Sequence, residues 1–174
     1  MEEMKKVQGA FNQREDDLLL FPLEGLLPAG QAFSVNTTYL VVSLVLTNSM
    51  SGNPILLQRL LTELQMRLLL PLLESPHYCP HEVLYSSLFY SYRGLLAGLF
   101  SPNSTAREEW QTAIERNRVY LQHAYELGTR KRELKPLYNA LSKLRSKLRP
   151  FGLEIAISTS GSAYTLISLP FSQQ

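Results

Sequence analysis

The sequence predicts a mainly α fold of the α+β class, with one small β-hairpin near its C-terminal end. Three observations carry that prediction. Hydrophobic residues make up 45% of the 174 positions and charged residues 18%, the balance of a chain that buries a core. Leucines recur at helical spacing over long stretches. After residue 152 the apolar period drops from 3.6 to 2, the change expected where a helix gives way to strands.

Taken in order, residues 1–17 are polar and read as a short lead-in. Residues 18–21 and 23–27 are apolar but broken by Pro22, Gly25 and Pro28, which suits irregular chain over a core. Residues 37–47 have the β-branched content of a strand and the unbroken apolarity of a buried helix. Helix is preferred, because 49–53 forms a loop and another helix follows directly. Asn53 is a good N-cap and Pro54 a good first residue for a leucine-rich helix over 55–73. Leu56, Leu57, Leu60, Leu61, Leu64, Leu68 and Leu72 give it a wide face, either core against 18–46 or part of a dimer interface.

Residues 74–78 are a linker. A helix opens near Pro80 and runs to about Phe100, with Val83, Leu84, Leu88, Tyr92, Leu95, Leu96 and Leu99 inward. Ser104 or Thr105 caps the next, over 106–127, which carries Trp110, Ile114, Leu121, Tyr125 and Leu127 and stops at Gly128. Residues 129–135, TRKRELK, read as a connecting loop. Pro136 then suits a first helical turn, and Leu137, Leu141, Leu144 and Leu148 follow on one face. Lys135, Asn139, Ser142, Lys143, Ser146 and Arg149 point the other way. The helix ends at Pro150. Leu153, Ile155 and Ile157 alternate as a strand, 158–163 turns, and Tyr164, Leu166 and Ile167 return as a second strand.

Charge is distributed unevenly. Residues 130–149 hold eight Lys or Arg against one acid, Glu133, a local net of +7. The whole chain is +2, so the remainder is −5. A basic face on an otherwise neutral protein is the usual mark of nucleic-acid binding, and the Asn and Ser side chains on the same face can reach base edges as well as phosphates.

Residues 144–148 read LRSKL, and 160–166 read SGSAYTL. With the hairpin that follows the helix, they resemble the C-terminal half of a winged helix-turn-helix domain of the response-regulator (OmpR/PhoB) type. That family's patterns run like L-R-x-K-L in the recognition helix and R-G-x-G-Y-R-L in the wing. Gly161, Tyr164 and Leu166 match, while Ser160, Ala163 and Thr165 replace two arginines and a glycine. The resemblance covers about residues 78–168. It implies a C-terminal winged helix over 78–174, with 106–127 as the positioning helix. Residues 1–77 are then an N-terminal helical extension and possible dimerisation region, with no series of βα units that would make a receiver domain.

The expected function is that of a double-stranded DNA-binding transcription regulator, its recognition helix 136–148 in the major groove. Asn139, Ser142, Lys143 and Ser146 would lie near base edges. Arg130, Lys131, Arg132, Lys135 and Arg149 would contact phosphates, and the wing, with Ser160 and Ser162, would follow the backbone or the adjacent minor groove. A homodimer would match a palindromic operator. The alternative is a protein-interaction module using the basic helix and the leucine-rich helix 55–73.

Other chemistries find little footing. No nucleophile elbow, zinc-protease helix, phosphate-binding glycine loop or dinucleotide fingerprint is present, so no enzyme and no cofactor are expected. The His77-x-Cys79-x-His81 spacing is unlike a common zinc motif, and no metal is expected. Cys79 precedes a helix start, as a redox-sensing thiol can, but a lone cysteine is more often buried. With one cysteine there is no internal disulfide. The N-terminus is too charged for a signal peptide, and no apolar run approaches the ~20 residues of a membrane span, so a soluble cytoplasmic protein is expected.

Overall fold

A computed structural model of the chain describes residues 17–48 and 52–169. The expected lead-in at 1–17 falls almost wholly outside the described residues. The fold is mixed α+β, in two compact units divided between Thr62 and Glu63.

The first unit is a four-stranded antiparallel sheet in the order β1 (Leu18–Phe21), β2 (Gln31–Asn36), β3 (Val41–Leu46), β4 (Ile55–Leu60). Phe21, Phe33, Leu44 and Leu57 align across it. Phe33, Val35 and Val42 are fully buried. The β2–β3 connection is an Asx turn, in which the Asn36 side-chain oxygen accepts from the backbone N–H of Thr38 and Tyr39 at 3.1 and 2.9 Å.

This sheet corrects three expectations. Residues 37–47 do not form a helix: Val41, Val42 and Val45 sit in β3, where β-branched side chains pack well on a pleated surface. The run 55–73 is not one helix but strand β4 followed by helix α1 (Glu63–Glu74). Ile55–Leu60 satisfies its backbone against β3 instead, so no single leucine-faced helix spans 55–73. Among the described residues, the extension expected to be helical holds four strands and one helix, α1.

The second unit continues from α1 through β5 (Cys79–Pro80), α2 (His81–Phe89), α3 (Tyr92–Phe100), α4 (Ser104–Glu126) and α5 (Arg130–Leu148). A single 3-10 turn, Arg149–Phe151, leads into the hairpin of β6 (Leu153–Ile157) and β7 (Ala163–Ser168). The strands form a three-stranded sheet in the order β5-β7-β6. Its core joins Met66, Leu68, Leu69 and Leu72 of α1, Leu84 of α2, Leu95 of α3 and Trp110 of α4. Leu134, Leu137, Leu144 and Leu148 of α5 and Leu153, Tyr164 and Leu166 of the hairpin complete it.

The helix expected from near Pro80 to about Phe100 is broken in two, α2 and α3. Ser91 starts the second part, its hydroxyl accepting from the Gly94 N–H at 3.0 Å. Helix α4 is capped one residue earlier than expected, by Asn103, whose side chain accepts from Thr105 and Ala106 N–H. Its far end stops at Gly128, φ +74°, as expected. There Thr129 N–H donates to Ala124 O at 2.8 Å and Gly128 N–H to Tyr125 O at 3.1 Å, a Schellman closure. Helix α5 then begins at once. Residues 130–135, expected as loop, form its first turns, and Pro136 lies inside the helix rather than at its start. Pro136 is exposed, so the Arg132 carbonyl it cannot bond to is on the solvent side, where proline costs least.

Among the described residues, no helix is long and apolar enough to cross a membrane.

Candidate nucleic-acid interface

Helix α5 has two faces. Leu134, Leu137, Ala140, Leu141, Leu144 and Leu148 are buried. At 100° per residue, Arg132, Lys135, Asn139, Ser142, Lys143 and Ser146 share the opposite, exposed side, with Lys131 and Arg149 on its margin. From Arg132 to Ser146 this strip is about 21 Å long at 1.5 Å per residue. Lys135, Asn139 and Lys143 make no side-chain hydrogen bond or ion pair among the described residues, so their polar atoms are open to a ligand. Arg132 approaches Glu133 at 3.7 Å, and Glu133 also accepts from the Tyr120 hydroxyl at 2.9 Å.

The structure gathers most of the expected residues and sets one apart. Arg130 is half-buried and turned about half a revolution away from Asn139, lining a cavity with His81 and Arg118. Ser160 and Ser162 are exposed on the hairpin tip. Their hydroxyls bond each other at 2.7 Å, and Ser160 also bonds Ser158 at 3.1 Å. The tip offers hydroxyls but no cation.

Glu154 on β6 was not singled out by the sequence pattern, yet it organises the end of the basic face. Its carboxylate lies 3.3 Å from Arg149 Nε and 3.5 Å from Arg145 Nε, and it accepts from the Ile155 N–H at 3.1 Å. Arg145 also donates to the Ile155 carbonyl at 3.0 Å, which fastens α5 to the hairpin. Its signal was present: Arg145 and Arg149 lie one helical turn apart, and Glu154 follows just beyond the short Pro150–Gly152 corner. Arg145 thus serves the fold, and Arg149 meets a carboxylate before it meets any phosphate.

Cys79 is buried in β5. Burial, with Glu74 and Glu82 nearby, pushes its thiol up to about 12. It stays protonated and unreactive at neutral pH, the opposite of a sensor thiolate. Among the described residues, no group of three His, Cys, Asp or Glu converges on one point.

Compared with protein-family models, curated proteins and solved structures, the chain matches none.

Proposed function

We propose that this chain binds duplex DNA through the outer face of α5, as a winged-helix transcription regulator without a receiver domain. One observation carries the reading. A solvent-facing strip of Arg132, Lys135, Asn139, Ser142, Lys143 and Ser146 lies on a helix whose opposite side is anchored in the core, and that helix leads into a hairpin. A rigid helix with cations and amide or hydroxyl groups on one side suits the major groove, about 12 Å wide. Asn139, Ser142, Lys143 and Ser146 are the base-edge candidates. Lys131, Arg132, Lys135 and Arg149 are phosphate contacts, and Ser160 and Ser162 face the backbone from the hairpin tip. A homodimer on inverted half-sites belongs to this proposal.

The second reading is a protein-interaction module, and the hairpin favours it. Its tip lacks a cation, and Glu154 places a carboxylate beside Arg149. An acidic partner protein would then occupy the α5 face.

Selection of bound duplexes from a randomised library at about physiological salt separates the two. An enriched motif supports the regulator, and inverted half-sites one helical turn apart support the dimer. Binding without enrichment that vanishes between low and moderate salt would overturn the regulator.

A further inference from the structure

Three aromatic rings meet where α2, α4 and α5 adjoin. Tyr85 of α2 is the inner one, 8% exposed. Phe89, the last residue of the same helix, packs edge-on against it with ring centres 5.0 Å apart. Tyr120 of α4 lies 6.3 Å from it with the two planes only 20° apart. The outer two rings keep much of their surface in water, Phe89 64% exposed and Tyr120 45%. Both are supported from beneath by Tyr85, and the Tyr120 hydroxyl donates to Glu133 of α5, which fixes that ring further.

Cations border the rings. Arg132, on the exposed strip of α5, is close enough for its charge to act on Tyr120. Arg116 lies one helical turn before Tyr120 on α4, is exposed, and makes no side-chain hydrogen bond or ion pair among the described residues. The nearby acids are already engaged: Glu133 by the Tyr120 hydroxyl and Arg132, Glu115 by Arg118.

Exposed rings on a rigid support, beside cations, suit a chain that carries flat faces and phosphates together. Every nucleobase has a π face, so a ring accepts any base, and the phosphates meet the cations. A continuous duplex offers only base edges in its grooves, because its base faces are covered by their neighbours in the stack. Unpaired bases leave those faces open.

We propose that Phe89 and Tyr120 form a platform on which unpaired bases of a single-stranded nucleic acid stack, its phosphates passing Arg116 and Arg132 onto the outer face of α5. The inference rests on the nucleic-acid reading of α5 and does not depend on that reading's duplex. It adds a second kind of substrate, read by stacking rather than by base edges.

The test measures fluorescence anisotropy of the full chain with three labelled probes: an oligothymidylate of about 12 nucleotides, an abasic strand of the same length and charge, and a random-sequence duplex. The abasic strand should bind at least about fivefold more weakly than the oligothymidylate. Phe89→Leu and Tyr120→Leu should each lose at least about fivefold on the oligothymidylate and nothing on the abasic strand or the duplex. Tyr120→Phe, which keeps the ring and drops the hydroxyl, should stay close to the wild type. Equal binding of the two single strands overturns the platform, even where the duplex binds tightly and the duplex reading stands. A Tyr120→Phe loss as large as that of Tyr120→Leu overturns the stacking role of Tyr120. Binding of the oligothymidylate without binding of the duplex supports the platform and overturns the duplex reading, and binding of neither overturns both. The comparison of the two single strands needs only the wild type, so it decides even if a leucine variant fails to fold.

Discussion

Replacing Glu154 with glutamine removes the carboxylate that competes with DNA at the C-terminal end of the basic face. Glu154→Gln keeps the side-chain length and the oxygen that accepts from Ile155 N–H, and removes the charge that faces Arg149 at 3.3 Å and Arg145 at 3.5 Å. Arg149 is 62% exposed, so its pairing contributes about 0.2–1 kcal/mol to stability and the variant should fold. Arg145 keeps its bond to the Ile155 carbonyl. Freed of its carboxylate, Arg149 becomes available to a phosphate. One added phosphate contact steepens the slope of log K against log salt by about 0.9, and at ~0.15 M salt it is worth about fivefold in affinity. Fluorescence anisotropy with a labelled random-sequence duplex, repeated over a salt series, reads both quantities. Tighter binding with a steeper slope is expected. An unchanged slope in a folded variant would refute the assignment of Arg149 to a phosphate.

Other substitutions probe separate parts of the argument. Lys135→Ala should weaken selected and random duplexes alike, about fivefold near 0.15 M salt, and flatten the salt slope by about 0.9. Asn139→Ala should instead cost about 1–3 kcal/mol on the selected sequence alone; equal losses on random DNA would sink its base-reading role. Gly98→Ala would place a Cβ 2.6 Å from Trp110 Cβ and 2.9 Å from its Cγ. It should destabilise by about 1–3 kcal/mol and alter the near-ultraviolet signal of the sole tryptophan; an unchanged melt would show that α3 and α4 are not packed this closely. Cys79, raised from 9.0 to about 12, favours the protonated thiol in the folded state, so its contribution is intact below pH 9 and is lost as pH rises from there towards 12. Alkylation at pH 8 should be slow in the native protein and fast in denaturant, and rapid native labelling would contradict the burial.

What was legible in the sequence was mostly what depends on local spacing. The apolar face of α5, the Gly128 stop and the β6–β7 hairpin each follow from residues a few positions apart. The first unit was harder to read. Its strands are stabilised by partners up to 19 residues away, as Val41 is by Leu60, and its β2–β3 turn is set by the Asn36 side chain rather than by a glycine. Ile55–Leu60 was misread because Asn53-Pro54 opens a strand as readily as a helix, and only the β3 ladder decides between them. At Tyr90–Ser91 the Ser91 cap was a signal concealed by apolar residues that keep helical spacing across it, Leu84, Leu88, Tyr92 and Leu95. On the binding face, the exposed side chains were legible and their competitors were not. Arg130 carries the same charge as its neighbours, and only the completed helix shows that it turns inward.

The pairing of β5 with β7 bears on the order of folding. Cys79 lies opposite Tyr164 and Pro80 opposite Ala163, and the Pro76 carbonyl accepts from both the Leu166 N–H at 2.7 Å and the Thr165 hydroxyl at 3.0 Å. The whole run of α2 to α5 lies inside the loop that these bonds close. The helices are joined by short connections and can form from local contacts, whereas the clasp must first overcome the entropy of bringing distant segments together. It therefore closes late. Weakening it, as Thr165→Val would, should accelerate unfolding while leaving the refolding rate nearly unchanged, and the hairpin would act as the latch that sets the lifetime of the folded unit.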